Sequence, residues 1–73
     1  MNPKIGKRNI PNNNIYKILY DKNMTQSELA KVIGIDNGEL NKIINRKKNI
    51  FISTAFKICK GLDKPINEVF FQD

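Results

Sequence analysis

The chain has 73 residues, enough for one domain whose core buries roughly 60% of the surface that the unfolded chain exposes, which argues against a deep catalytic cleft. Thirteen Lys and Arg against seven Asp and Glu leave a formal charge of +6. On so small a body that favours a polyanionic partner, nucleic acid or a membrane surface, although charge alone neither chooses between them nor excludes a basic protein that is merely soluble.

The single Cys59 cannot form an internal disulfide, and no apolar run approaches the roughly 20 residues that a bilayer requires, so a cytoplasmic protein is expected. Twelve Ile against four Leu, and eleven Lys against two Arg, point to an AT-rich genome. Lys and Asn therefore count as functional signals only where their placement adds something to their number.

Residues 1–10, MNPKIGKRNI, combine Pro3, Gly6 and three cations with no helical period, and read as a flexible basic N-terminal arm ahead of a domain over 11–73. Pro11 and the Asn run at 12–14 open a first helix to about Lys22, with Ile15, Ile18 and Leu19 as its apolar stripe. Thr25-Gln26-Ser27-Glu28 has the capping-box spacing, a hydroxyl and a carboxylate three residues apart that satisfy the orphan amides of a helix start. The second helix then runs from Gln26 to Ile33, and Gly34 supplies the left-handed residue that stops it. Asp36 and Glu39 repeat the box and launch a third helix from about Asn37 to Ile44. The loop Asn45-Arg46-Lys47-Lys48-Asn49 is polar and cationic. A fourth helix is expected from about Ile52 to Lys60, with Ile52, Ala55, Phe56, Cys59 and Leu62 inward and Gly61 at or in its last turn. Pro65 opens a short fifth, which returns Ile66, Val69 and Phe70 to the core. There is no alternating strand pattern, internal repeat or low-complexity block, and the reading is an all-α, compact five-helix bundle.

A helical wheel separates the two faces of the third helix. At about 100° per residue from Asn37, Leu40, Ile43 and Ile44 fall near 300°, 240° and 340°, while Gly38, Asn41, Lys42 and Asn45 share the arc from 0° to 140° with Asn37. The second set has no apolar reason to pack, and its amides and ammonium suit base edges and phosphates. A helix supported from behind by a short partner and presenting such a face meets the requirement for major-groove insertion.

From Ile15 to Phe70 the sequence resembles the Cro and phage-repressor family of helix-turn-helix proteins, the XRE type. The matching residues are Met24 to Ala30, Gly34-Ile35, Leu40, Ile43, the basic loop 45–49, Lys57 to Leu62 and Ile66 to Phe70. The TQxELA core followed, after three intervening residues, by Gly34 is a specific signal. The resemblance implies a lambda-repressor-like five-helix fold that binds double-stranded operator DNA as a homodimer; with 73 residues and no long zipper-like helix the dimer interface is expected to be small, so that pairing is expected on the DNA. Carried over by position, it implies Gln26 on a phosphate, Asn37, Gly38, Asn41 and Lys42 at or near base edges, and Asn45, Arg46, Lys47 and Lys48 along the backbone. Three positions depart from the pattern: Gly38 where many relatives carry a long polar side chain, Arg46 in place of the usual Gly after the third helix, and Phe51 where a small capping residue is common.

Simpler roles compete at several positions. Glu39 is better used as a capping partner than as an acceptor for a cytosine amine. Asn37 and Asn41 could be merely solvated, but their place beside Lys42 favours readout. Lys42 suits a guanine edge and a phosphate equally. Cys59 reads as a packing residue. Phe70 and Phe71 cannot both face inward on one helix, so Phe71, with Phe51, is a candidate dimer contact.

The leading function is a sequence-specific DNA-binding transcriptional regulator, a Cro-like repressor of a phage or mobile element, nucleoid-associated and encoded by a bacterium or phage. The alternative is the antitoxin or interaction module of a toxin–antitoxin pair, for which residues 1–10 are a short candidate segment. An enzyme is not expected, since there is no His, metal-ligand cluster, phosphate-cradling loop or activated nucleophile. No cofactor or small-molecule ligand is expected either, and a membrane partner is not expected because the apolar faces are needed for the core.

Overall fold

Local chemistry sets each helix boundary in the computed structural model, which describes residues 4–5, as backbone alone, and 11–71. The five helices are α1 (Ile15–Asp21), α2 (Gln26–Ile33), α3 (Asn37–Ile44), α4 (Ile52–Leu62) and α5 (Ile66–Val69). The all-α, five-helix class expected from the sequence is the class observed. Thr25 caps α2 through a complete capping box, and Gly34 ends it at φ 76°, which a residue without Cβ adopts at no steric cost. Asn23, Arg46 and Asp63 also take positive φ, just beyond the ends of α1, α3 and α4.

Four two-residue strands were not anticipated. β1 (Lys4–Ile5) pairs antiparallel with β3 (Ile50–Phe51), and β2 (Asn12–Asn13) with β4 (Phe70–Phe71). Segments this short have too few residues for a two-residue alternation to register. The expected basic arm otherwise lies outside the described residues. Pairing of β2 also explains why α1 begins at Ile15 and not at Pro11 or Asn12. Asn14 N donates to the Val69 carbonyl at 2.9 Å, and Asn13 Oδ1 accepts from Ile15 N at 3.2 Å. The backbone of this segment is thereby committed to the C-terminal end of the domain.

The core draws on every helix, with Ile15, Leu29, Leu40, Ile58, Leu62 and Val69 fully buried. Full burial of side chains of this size stabilises by about 1.5–3 kcal/mol each. In α4 the inward stripe is Ala55, Ile58, Cys59 and Leu62, while Ile52 and Phe56 are 43% and 57% exposed. This corrects the expected stripe, which included both. The helix is rolled toward α2 because Gly61 meets it: a Cβ there would lie 2.5 Å from Ile33 Cγ2 and 3.1 Å from Leu29 Cδ1. Gly61 and Ile58 are three residues apart and share that side. The C-terminal expectation is corrected too. Ile66 is exposed, and Phe70 is buried from a strand position, where successive side chains alternate and Phe71 turns outward.

Candidate nucleic-acid interface

Helices α2 and α3 are joined by Gly34, Ile35 and Asp36 alone. Ile35 packs against the core, and its N–H and that of Gly34 both reach the Ala30 carbonyl, at 3.1 and 2.9 Å. Asp36 Oδ2 then accepts from Glu39 N at 3.2 Å. A Cβ at Gly38 would come within 2.8 Å of that same oxygen, so the missing side chain makes room for the cap. The second capping box is half formed. The Glu39 carboxylate lies 3.9 Å from the exposed Lys48 Nζ, so Glu39 leans toward the basic loop in place of closing the box. At the start of α2 the box is complete: Thr25 N donates to Glu28 Oε1 at 2.8 Å and Glu28 N to Thr25 Oγ1 at 3.0 Å. The Thr25 amide, and after it the hydroxyl, hold the Glu28 carboxyl below its ordinary range.

On α3, Leu40, Ile43 and Ile44 are buried and Asn37, Gly38, Asn41, Lys42 and Asn45 are exposed. This is the division drawn by the wheel. Arg46, Lys47 and Lys48 extend the exposed polar face past the helix end. Asn45 is less available than its exposure suggests, because its Nδ2 donates back to the Asn41 carbonyl at 2.9 Å and to Asn41 Oδ1 at 3.2 Å. Helix α3 ends on a Schellman pair, Lys47 N to the Lys42 carbonyl at 2.8 Å and Arg46 N to the Ile43 carbonyl at 3.1 Å. Arg46 itself sits at φ 59°. That is the conformation for which a glycine is the usual residue, and it explains why the position matches a glycine in the resembling family.

Gln26 does not stand alone. Its Nε2 donates to Asn37 Oδ1 at 2.9 Å and to the Asn37 carbonyl at 3.3 Å, while its Oε1 accepts from the Tyr16 hydroxyl at 3.1 Å. Asn37 Nδ2 in turn reaches Ser27 Oγ at 3.3 Å. The first residues of α2 and α3 are therefore one hydrogen-bonded cluster. Sequence reasoning placed Gln26 and Asn37 on the surface but missed Tyr16 and Ser27. No spacing rule links a residue on α1 to one ten positions later, and Ser27 carries no signal beyond its place in the TQSE box.

Among the described residues no group of three or more His, Cys, Asp or Glu could hold a metal ion, and no helix is long and apolar enough to cross a membrane. The helix-turn-helix family model matches residues 15–69. No curated protein matches the chain. Among solved structures, the restriction-modification controller protein C.AhdI from Aeromonas hydrophila is similar. It is 20% identical over 74% of this chain and 82% of its own, with a TM-score of 0.70, a likeness of fold.

Proposed function

The chain belongs to the helix-turn-helix family of the Cro and phage-repressor type, whose members are DNA-binding transcriptional regulators, and we propose that it is a Cro-like repressor of a phage or mobile element. It acts by occupying a palindromic operator and excluding polymerase, with α3 in the major groove. The observation that carries this reading is the split of α3 into a buried aliphatic face and an exposed face of amides and cations. Asn37, Asn41 and Lys42 read bases, and Gly38 lets the backbone come close. Gln26, Asn45, Arg46, Lys47 and Lys48 hold the phosphates, which fix register without carrying sequence. A dimer places two copies of α3 about 34 Å apart, one on each half-site.

Selection of bound sequences from a random duplex library, followed by footprinting of the winner, tests the proposal. A two-fold symmetric motif with protection centred on two successive major grooves is expected. Enrichment of no motif would remove sequence-specific regulation; a motif without symmetry would remove the dimer alone.

A further inference from the structure

We infer that the groove between α2 and α4 is a docking surface for another protein, and that its occupant is an acidic segment carrying an apolar side chain between its carboxylates. This goes beyond the DNA reading and uses a different part of the surface.

The groove follows from the missing side chain of Gly61. A Cβ there would lie 2.5 Å from Ile33 Cγ2 and 3.9 Å from Val32 Cγ1, so α4 comes close to α2 along this line. The space beside the contact, about 440 Å³, is lined by Val32, Ile33, Gly61, Lys57 and Lys60. Its floor is apolar and open. Val32 stays 65% exposed, although two lysines three residues apart on the facing wall are long enough to lay their aliphatic stems over it.

Both ammonium groups lack a counter-charge. Neither lysine forms an ion pair among the described residues, and α4 contains no Asp or Glu. The one acid of α2 is Glu28, whose carboxylate is committed to Thr25 N at 2.8 Å. Anions that match this site come from outside. A phosphate backbone supplies them but has no use for the floor, whereas an acidic peptide segment meets both, with its apolar side chain on Val32 and Ile33 and its carboxylates on Lys57 and Lys60. Val32 is six residues beyond Gln26, about 9 Å along α2 and about 120° around it. A segment seated there does not cover the Gln26–Asn37 side.

A phage-displayed library of random peptides, panned against the full chain, supplies the probe, and the winning peptide is titrated into isotope-labelled protein and followed by amide shifts. Winners should carry an apolar side chain flanked by Asp or Glu, and the shifts should centre on the five lining residues. Val32→Glu should weaken the peptide at least about tenfold, since it sets a carboxylate among those of the peptide, and should leave the melting temperature unchanged because Val32 is exposed. Lys57→Gln with Lys60→Gln should remove most of the salt dependence of the affinity, whereas Lys17→Gln, on α1, should not alter it. The inference is overturned by the absence of any winner, by winners that lack acids or shift other residues, or by binding that Val32→Glu leaves intact. It is overturned equally if duplex DNA shifts the groove residues and Lys57→Gln with Lys60→Gln flattens the salt response of DNA binding, which would make the lysines phosphate contacts. The regulator reading is tested by duplex selection and stands or falls separately.

Discussion

Asn13 Nδ2 donates to the Ile44 carbonyl at 3.0 Å, joining β2 to the last turn of α3. The same side chain accepts from Ile15 N through its other atom, and its backbone pairs with Phe70. One asparagine thus couples the entry to α1, the C-terminal strand and the helix whose outer face is proposed to read DNA. A carbonyl at a helix end is among the four that lack an intrahelical partner.

Asn13→Ala should cost about 1–2 kcal/mol, since it leaves a part-buried carbonyl and amide unsatisfied. Chemical denaturation measures the loss. Hydrogen exchange should also show earlier opening of the last turn of α3 than of α2. Unchanged stability would mean that water replaces this side chain without penalty.

Arg46→Gly separates fold from function. A left-handed β-carbon-bearing residue costs roughly 1–2 kcal/mol relative to the right-handed form, while the greater freedom of Gly in the unfolded chain takes part of that back. The variant should be more stable by about 0.5–1 kcal/mol and should bind DNA more weakly at low salt. The slope of log affinity against log salt should fall in magnitude by about 0.9, as for one lost phosphate contact. A less stable variant would show that the arginine side chain contributes more than its backbone costs.

What could be read in advance divides along physical lines. Helix α2 was legible to the residue, and the start of α3 with it, because these ends are written in local chemistry: Thr25 with Glu28, Gly34, and Asp36 ahead of an aliphatic stripe. The left-handed ends at Asn23, Arg46 and Asp63 were not, since their signal is carried by chain geometry and not by a glycine. The roll of α4 was missed because Phe56 and Ile58 are both apolar, and the choice between them is made by Gly61 against α2. The exposed face of α3 was visible in a wheel, but the Tyr16–Gln26–Asn37–Ser27 cluster depends on tertiary proximity that no periodicity encodes.

Gly61→Ala examines the close approach of α4 to α2. Alanine has the better helix propensity by about 1 kcal/mol, but its Cβ would sit 2.5 Å from Ile33 Cγ2 and close to the buried Leu29. Overpacking of this kind costs typically about 1–3 kcal/mol. The net should be a loss of about 1 kcal/mol, read as a lower melting temperature. A rise would show that the two helices separate freely.

Charge predicts a steep salt response. Neutralising about four to six phosphates per half-site gives a log–log slope of roughly −4 to −5, and a flat response would remove nucleic acid as the main partner. Within that total, Lys47→Ala should weaken binding to all duplexes alike. Lys42→Ala should lose about 1–3 kcal/mol on the preferred site and little elsewhere if it reads a guanine. Equal losses on both kinds of DNA would move Lys42 to the phosphate set.

Assembly is tested at Phe71. Its neighbour Phe70 is 8% exposed and Phe71 is 38% exposed on the same short strand, so the ring is available to a second copy while its backbone stays paired with Asn12. Phe51 is 45% exposed and is the second aromatic proposed for this contact. Two half-sites multiply specificity that a single α3, touching a few base pairs, cannot supply. On a chain of this size with no long zipper-like helix the interface is expected to be small, so pairing is expected on DNA more than in free solution. Phe71→Ser should therefore reduce cooperativity on a full operator and leave half-site affinity unchanged. Titration of full and half operators with wild type and variant decides the matter. Unchanged cooperativity would place the dimer contact elsewhere, and a large fall in melting temperature would assign the ring to the packing of β2 against β4.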